Sequence, residues 1–160
     1  MRSNFKDANE AFVYFYDLIR HTGTNFDNTK ALFNVGFTIY NPLHHLIHAD
    51  FRNWKRGYAE AEWQWYLSGD NNIKKLGKIY GKVPEIWKRM ADRHGYVNSN
   101  YGWQWQRSDW NGINQYDKVV SMLKENPNTR QAAISIYDSK EINEYEFDTP
   151  CTYAVQFTIV

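Results

Sequence analysis

The amino-acid sequence predicts an α+β fold, in which helices and strands follow one another along the chain without strict repetition. Apolar residues recur with the 3.6-residue period of a helix in some segments and with the two-residue period of a strand in others. No internal repeat or low-complexity linker divides the 160 residues. We therefore predict a single domain over residues 1–160.

The first predicted elements are a helix and a strand. Apolar side chains at helical spacing predict a helix over residues 8–19, with Gly23 as its stop. A polar loop over residues 22–28 follows. An apolar–polar alternation over residues 33–39 then predicts a half-buried strand, which the Asn-Pro pair at residues 41–42 ends.

The middle of the chain predicts helices with recognisable caps and stops. Residues 57–68 are amphipathic at helical spacing, and the polar residues 70–72 can cap a further helix. Pro84 predicts the start of another helix, which Gly95 stops. The aromatic residues 98–107 fit neither period and predict a loop.

The last third of the chain predicts a helix over residues 116–123 and strands over residues 132–137 and 152–160. The acidic stretch over residues 138–148 predicts an exposed loop or hairpin. Because the final strand pattern stays apolar to the last residue, it indicates either a longer chain or a strand that awaits a partner strand.

The composition narrows the class of function. Aromatic residues make up 18% of the chain, more than a minimal core needs, and predict a ring-lined ligand pocket. The formal net charge of +1 argues against nucleic acid or an anionic membrane as the main partner. The sequence has one cysteine, no signal peptide and no run that could span a bilayer, so we expect a cytoplasmic protein.

Glu62 is the candidate for acid–base chemistry that the periodicity provides. The helical period places it on one face with Tyr58, Trp65 and Tyr66. A carboxylate among aromatic rings is suited to exchange protons near neutrality. The alternative, which is favoured without other evidence, is a partly exposed glutamate paired with a nearby cation such as Arg56.

Cys151 opens the last predicted strand, so we expect its sulfur at the end of a sheet. A cysteine nucleophile needs a nearby cation or dipole that favours the thiolate, and no residue adjacent in sequence supplies one. Arg130 and the amide-rich aromatic stretch are the candidates. The alternative is an inert core residue, the commoner role of a lone intracellular cysteine.

Three neighbouring histidines raise the question of a metal site. His44 and His48 have the i, i+4 spacing of ligands on one helix face, and His45 lies between them. No cysteine or carboxylate stands at a conventional spacing from them. We therefore favour a solvated or loop-packing role and expect no metal.

Six segments, taken together and in order, resemble the thymidylate synthase superfamily, and within it the phage-type deoxycytidylate hydroxymethylases. Each segment alone is a weak signal, but their order and spacing are specific, and they cover nearly the whole chain. The segments are residues 20–24, 59–73, 86–87, 98–105, 126–130 and 149–157.

The resemblance implies a mixed sheet packed with helices, of which the C-terminal part is missing from this sequence, and a homodimer. It implies transfer of a one-carbon unit from 5,10-methylenetetrahydrofolate to C5 of a pyrimidine deoxynucleoside monophosphate, through a cysteine adduct at C6. Hydroxymethylation of dCMP is favoured over methylation of dUMP, because Thr152 and the Ser-Asn-Tyr-Gly at residues 99–102 are similar to the hydroxymethylases.

The same resemblance implies roles for individual residues. Cys151 matches the family's nucleophile, Glu62 its catalytic glutamate, and Tyr101 the tyrosine used near the C5 proton. Trp87 and Ile86 are expected to pack the base and the folate.

Four residues are candidates for binding the substrate phosphate. Arg130 matches an arginine that reaches the phosphate of the neighbouring subunit. Gln131 replaces the second arginine of the usual pair, and His21 replaces the usual arginine before Thr-Gly-Thr. Because Arg20 lies one place earlier than His21, either of them is a candidate.

Family members also carry an Arg-Ser-x-Asp motif and later contacts to base and ribose, which this sequence does not contain. One interpretation is therefore the front part of a folate-dependent transferase, and the other is a non-catalytic chain that acts in binding or assembly. A third, a binder of single-stranded nucleic acid that stacks bases on Trp103 and Trp105, lacks the basic groove such proteins use.

Overall fold

The computed structural model describes residues 1–107, 112–138 and 141–160. They form two compact units, Met1–Lys55 and Arg56–Val160. Helices and short strands are interspersed along the chain, which confirms the α+β class. That residues 1–160 form one domain stays a prediction.

The first unit is organised around helix α1 (Ala8–Thr22). Its N-cap is Asp7, whose side chain accepts a hydrogen bond from the Glu10 amide. At the other end, the Gly23 amide donates to the Ile19 carbonyl. The apolar face of α1 contributes to an apolar groove of about 420 Å³. The groove is lined by Ala8, Ala11, Phe12, Phe15, Tyr16, Ile19, Phe37, Ile39 and Ile47.

The strands of the first unit differ from the prediction. Strands β2 (Thr24–Phe26) and β3 (Thr29–Ala31) form an antiparallel hairpin, and β2 lies within residues 22–28, where the sequence predicts a polar loop. The hairpin turns at Asp27, which has a positive φ of 50°. Asp tolerates this left-handed conformation better than most residues, so it suits a tight turn.

The predicted strand over residues 33–39 is wrong for most of its length. Only β4 (Thr38–Ile39) is a strand, and it pairs in parallel with β1 (Asn4–Phe5). Asn34 has a φ of 55°, in the left-handed region, which interrupts the extended conformation that the apolar–polar alternation predicts.

The second unit begins with three helices that share one core. They are α2 (Arg56–Leu67), α3 (Ile73–Tyr80) and α4 (Glu85–Met90). The core contains the buried side chains of Ala61, Trp65, Leu76 and Val97. Burial of an indole and two aliphatic chains among helices is the main source of stability here.

The ends of these helices follow the predicted signals in part. Asn72 caps α3 by accepting a hydrogen bond from the Lys74 amide. Helix α4 ends at Met90 and does not reach the predicted stop at Gly95. The Asp92 side chain accepts hydrogen bonds from the amides of His94 and Tyr96, which holds the chain in a turn before Gly95.

Helix α5 (Tyr101–Gln106) lies where the sequence predicts a loop. It is capped by Asn100, whose side chain accepts a hydrogen bond from the Trp103 amide. Gly102 brings α5 against α2, because a Cβ atom on Gly102 would lie 1.8 Å from the Tyr66 carbonyl oxygen. Tyr101 and Trp105 of α5 are partly buried and pack against Val119, Ala132, Ile134 and Ile136.

The last part of the second unit combines a helix with a strand pair. Helix α6 (Gln115–Glu125) is followed by β5 (Ala133–Ser135), which pairs antiparallel with β6 (Ala154–Gln156). Backbone hydrogen bonds from Ile136 to Tyr153 and from Phe157 to Ala132 extend the pairing at both ends. A second core lies here, formed by Val119, Ala132, Ile134 and Ile136.

The strands pair both in parallel and antiparallel. Within the described residues, the six strands form three two-stranded sheets, one parallel and two antiparallel, which lie among the helices. The strands are two or three residues long.

Candidate functional site

The second unit brings Cys151 and Tyr101 together. The backbone amide of Cys151 donates a hydrogen bond to the Tyr101 hydroxyl oxygen at 2.9 Å. Cys151 is exposed and unoxidised, and it lies three residues before β6. The backbone of Cys151 therefore lies beyond the end of the β5–β6 pair, with an aromatic hydroxyl beside it. It does not open the strand directly, because β6 begins only at Ala154 and is shorter than the strand predicted over residues 152–160.

Glu62 lies in a cluster of hydrogen-bond donors that we call the carboxylate cluster, formed by Tyr58, Glu62 and Trp87. The Tyr58 hydroxyl donates to Glu62 Oε1 at 2.7 Å. The Trp87 indole N–H donates to the Tyr58 hydroxyl oxygen at 2.7 Å and to Glu62 Oε1 at 3.1 Å. All three side chains are half-buried.

This arrangement differs from the alternative interpretation of Glu62 as a surface ion pair. Arg56 pairs with Glu60 at 2.7 Å, on the exposed side of the helix. Glu62 instead has aromatic donors and rings around it, as the helical period predicts. Its hydrogen-bond partners in this cluster are therefore neutral aromatic donors and not a cation.

Tyr66 connects the two parts of the site. It lies one turn after Glu62 on α2, and its ring contacts the ring of Tyr101 edge to face, with centroids 5.7 Å apart. Tyr101 in turn stacks on Trp105. A continuous aromatic wall therefore runs from the carboxylate cluster to the cysteine.

Two hydroxyl groups of the site, those of Tyr58 and Tyr66, have raised pKa values. Burial raises the pKa of Tyr58 well above its ordinary value, and the hydrogen bond to Glu62 raises it further. Burial and then the negative charge of Glu62 raise the pKa of Tyr66 in the same direction. Both phenols therefore stay neutral, and able to donate hydrogen bonds, across the physiological range.

The acidic loop, which we define as residues 141–150, is held against the start and end of α5. Asn98 donates to the Glu144 carbonyl, and the Ser99 hydroxyl donates to Asp148 Oδ2 at 2.6 Å. Arg107 forms an ion pair with Glu141. The prediction of an exposed loop is therefore wrong for Glu141 and Asp148, which are half-buried because they find partners. Residues 139–140, in the same predicted loop, lie outside the described residues.

The remaining candidates in the second unit lie at its surface. Arg130 and Gln131 are exposed in the segment between α6 and β5. Ile86, on α4, is 41% exposed and neighbours the half-buried Trp87. The Trp87 ring packs edge to face on the buried Trp65, with centroids 5.1 Å apart.

Arg20 and His21 belong to the first unit, in the last turn of α1. Both are exposed. The Arg20 guanidinium lies 5.5 Å from the centroid of the Tyr16 ring, and His21 Nδ1 lies 2.7 Å from the Asp17 carbonyl oxygen.

The three histidines at 44, 45 and 48 are exposed, and the ring of His44 lies 3.3 Å from the Asn41 amide nitrogen. Among the residues that the structure describes, no three His, Cys, Asp or Glu side chains come together as a metal site. No helix in the described part of the chain has the length and apolar character needed to cross a membrane.

Sequence reasoning missed two parts of this site. It placed Tyr58 on the face of Glu62 without a function, although a hydroxyl four residues before a carboxylate is a hydrogen-bonding spacing. It also missed the contacts of the acidic loop with residues 98–107, which are more than 30 residues away in sequence and leave no local signal.

Comparisons with known proteins find similarity over most of the chain. A family model described as thymidylate synthase matches residues 23–160. The chain is 34% identical over 99 residues to a thymidylate synthase of Buchnera aphidicola subsp. Baizongia pistaciae, which covers 60% of this chain and 36% of that protein. It is 33% identical over 109 residues to a deoxycytidylate 5-hydroxymethyltransferase of Enterobacteria phage T4, which covers 64% of this chain and 41% of that protein.

A solved structure gives the same likeness. Thermostable thymidylate synthase A from Bacillus subtilis matches with a TM-score of 0.52 and 27% identity, over 67% of this chain and 38% of that chain. The chain therefore spans about two fifths of the length of the relatives that it matches.

Proposed function

Because the chain belongs to the thymidylate synthase family, as its six segments predict, we propose that it transfers a one-carbon unit from 5,10-methylenetetrahydrofolate to C5 of a pyrimidine deoxynucleoside monophosphate. The observation that carries this proposal is the hydrogen bond from the Cys151 amide to the Tyr101 hydroxyl. It joins the candidate nucleophile to the residue proposed to act near the C5 proton.

In the proposed mechanism, the Cys151 thiolate adds to C6 of the pyrimidine. The electron pair of the C5–C6 double bond moves to C5, which becomes the nucleophile that accepts the one-carbon unit. The C5 proton is then lost and the bond between the one-carbon unit and the folate nitrogen breaks, which leaves a methylene group on C5. Water or hydride adds to this methylene group, and departure of the thiolate from C6 restores the ring double bond and frees the enzyme. This route replaces one difficult substitution by several easier steps.

Glu62 and Tyr101 are the residues proposed to move protons. Glu62 exchanges protons with the base and the folate through water, and its fixed hydrogen-bond donors, Tyr58 and Trp87, support a defined carboxylate orientation. Tyr101 acts near the C5 proton, and its contact with the Cys151 amide supports a position beside the covalent bond.

The folate supplies the one-carbon unit at the oxidation level of formaldehyde. Trp87 and Ile86 are the residues proposed to hold it, since the exposed Ile86 and the half-buried Trp87 ring on the same helix fit a flat, partly apolar heterocycle. The Trp87 N–H is engaged with Tyr58 and Glu62, so this residue offers its ring face to the ligand.

The phosphate of the nucleotide is proposed to bind basic and polar side chains. Arg130, which is exposed, is assigned to the phosphate bound by a second copy of the chain in a homodimer, and Gln131 beside it offers an amide donor. Arg20 or His21 is the further candidate in the first unit.

Within this reaction class, we favour hydroxymethylation of dCMP over methylation of dUMP. Thr152 and the Ser-Asn-Tyr-Gly sequence at residues 99–102 are the features that support this choice. The product depends on whether water or a hydride from the folate reacts with the methylene group attached to C5.

The test is covalent capture on the full chain. The protein is incubated with 5-fluoro-dCMP or 5-fluoro-dUMP plus methylenetetrahydrofolate, and its mass is measured. Because a C5 fluorine is not released as a proton is, the adduct should accumulate, with the preferred base reacting faster. Cys151 is the one cysteine in the sequence, so Cys151→Ser should abolish the adduct.

Reaction mixtures without folate are the control for simple nucleotide binding. A protein that forms no adduct with either analogue contradicts the catalytic proposal. Such a result favours the alternative, a non-catalytic chain that acts in binding or assembly, for which the partial coverage of the relatives is the supporting observation.

A further inference from the structure

The hydroxyl of Tyr58 bridges two residues that come from different helices. It accepts a hydrogen bond from the Trp87 indole on α4 and donates one to Glu62 on its own helix, each at 2.7 Å. We infer that Tyr58 is a positioning residue, which fixes the Glu62 carboxylate and couples its orientation to the Trp87 ring. The effect of Tyr58 on the reaction rate rests on the proposed function. The hydrogen bonds among Tyr58, Glu62 and Trp87 can be tested without it.

The chemistry of these three groups sets the direction of the hydrogen bonds between them. An indole N–H can donate but not accept, and an ionised carboxylate can accept but not donate. The Tyr58 hydroxyl must therefore use its single proton toward Glu62 and its oxygen lone pair toward Trp87. Glu62 Oε1 therefore receives the Tyr58 proton, while the Trp87 N–H is shared between the Tyr58 oxygen and Glu62 Oε1. Both contacts on Oε1 favour one orientation of the carboxylate.

The bridge is supported by packed rings on both sides. The Tyr58 ring lies edge to face against Tyr80 of α3, with centroids 5.5 Å apart. The Trp87 ring lies edge to face on Trp65, which is completely buried. Neither ring can rotate without disturbing the core shared by α2, α3 and α4, so the two donors meet Glu62 in a fixed geometry.

The Tyr58 and Trp87 donors share one acceptor oxygen of the Glu62 carboxylate. Both the Tyr58 hydroxyl and the Trp87 N–H end on Glu62 Oε1. Two donors on one oxygen fix the rotation of the carboxylate about its last bond as well as its position. A ligand that moves the Trp87 ring would therefore also move Oε1. Ligand binding at Trp87 would in this way change the orientation of the Glu62 carboxylate.

The experiment compares Tyr58→Phe with Tyr80→Phe in the full chain. Each variant removes one hydroxyl from one of two rings in mutual contact, but only Tyr58 reaches Glu62. The first measurement is the nuclear magnetic resonance signal of the Trp87 indole N–H, assigned through loss of that signal in Trp87→Phe. We expect this signal to shift in Tyr58→Phe and in Glu62→Gln, and to stay in place in Tyr80→Phe.

The second measurement is the rate of covalent adduct formation with the 5-fluoro nucleotide and folate. Loss of a hydrogen bond to a catalytic carboxylate predicts a rate about tenfold lower or more in Tyr58→Phe, with the nucleotide concentration at half-maximal rate changed less than about threefold. If Tyr58 had only a structural role, Tyr58→Phe would lower the unfolding midpoint. It would not lower the adduct rate while leaving the half-maximal nucleotide concentration nearly unchanged.

Two results overturn the inference. One is an indole signal in Tyr58→Phe that coincides with that of the unmodified protein, and the other is an adduct rate within about twofold of it. If the unmodified protein forms no adduct, the proposed function fails and the catalytic consequence fails with it. The indole signal then still decides whether Tyr58 holds the carboxylate.

Discussion

At the scale of single residues, the contact between Ser99 and Asp148 links the start of α5 to the acidic loop that precedes Cys151. The Ser99 hydroxyl donates to the carboxylate at 2.6 Å, and Ser99 is only 4% exposed. A hydrogen bond to a charged group that is partly shielded from water is stronger than one between neutral groups. This bond therefore holds the loop, and through it the backbone that reaches Tyr101.

We predict that Ser99→Ala lowers the free energy of unfolding by about 1 to 2 kcal/mol, because the half-buried carboxylate loses its donor. A double-mutant cycle with Asp148→Ala, followed by denaturant unfolding, should give a coupling of about 1 kcal/mol. Thr149→Ala, at an exposed neighbouring position, is the control and should change stability by less than about 0.5 kcal/mol. Additive effects of Ser99→Ala and Asp148→Ala would contradict the prediction.

The raised pKa values of Tyr58 and Tyr66 predict how stability depends on alkaline pH. Tyrosines of the unfolded chain ionise near pH 10, whereas burial keeps these two protonated to higher pH in the folded chain. Above about pH 10 the unfolded state therefore binds fewer protons than the folded state, and the unfolding free energy falls as pH rises. Below pH 10 their contribution is fully present.

The measurement is the phenolate absorbance during an alkaline titration of folded and denatured protein. We expect late-ionising groups in the folded protein that disappear on denaturation. Tyr58→Phe and Tyr66→Phe should each remove one of them. A folded protein in which both variants titrate like the parent would contradict the assignment.

Among the residues of the site, local sequence can predict the surroundings of Glu62 only in part. The helical period places Glu62 among rings because all the residues concerned lie on one helix within eight positions. It cannot predict the Trp87 donor, which lies 25 residues away in sequence and reaches Glu62 only through the packing of α4. Long-range hydrogen bonds depend on the fold and leave no periodic signal.

At the scale of elements, α5 carries Tyr101, and its position depends on the absence of a side chain at Gly102. A Cβ atom there would lie 1.8 Å from the Tyr66 carbonyl oxygen, far inside van der Waals contact, so α5 would have to move away from α2. The side chains that α5 positions would move with it. The contact between Tyr101 and the Cys151 amide is therefore a consequence of one glycine.

We predict that Gly102→Ala destabilises the protein by about 2 to 3 kcal/mol and lowers the rate of adduct formation, because overpacking displaces α5. Gly57→Ala is the matched control. Gly57 lies in α2, and nothing lies within 4 Å of a Cβ atom built on it, so the same change should be neutral or stabilising by up to about 1 kcal/mol. Thermal unfolding of both variants gives the comparison, and equal midpoints for the two would contradict it.

The longer helices were predictable from the sequence because their apolar residues recur with the 3.6-residue helical period. Helices α1 and α2 are longer than ten residues, and their apolar faces indicate them directly. Helix α5 has six residues, less than two turns, and is defined by the Asn100 cap and the Gly102 contact. The strand predicted over residues 33–39 has a clear apolar–polar alternation. The prediction is nevertheless wrong for most of this segment, because Asn34 adopts a left-handed conformation.

At the scale of the whole molecule, Arg130 is the residue whose proposed role requires a second chain. It is exposed beside the β5–β6 pair, and an arginine at the surface can form charge-assisted hydrogen bonds with a phosphate held by a neighbouring subunit. A symmetric dimer would then contain two sites, each combining Cys151 of one chain with Arg130 of the other. The sequence pattern around Cys151 or Arg130 does not indicate this arrangement. A subunit interface, unlike a helix or a strand, produces no regular spacing of apolar residues.

We predict that two inactive variants restore activity when they are mixed. In a dimer of Cys151→Ser with Arg130→Ala, one site has the native cysteine and receives the native arginine from its partner, whereas the other site has neither. Random exchange of subunits makes half of the dimers mixed, so about a quarter of all sites should recover. The measurement is adduct formation with the 5-fluoro nucleotide and folate after joint refolding of equal amounts. Each variant refolded alone is the control, and a mixture no more active than the two controls together would show that Arg130 does not act across an interface.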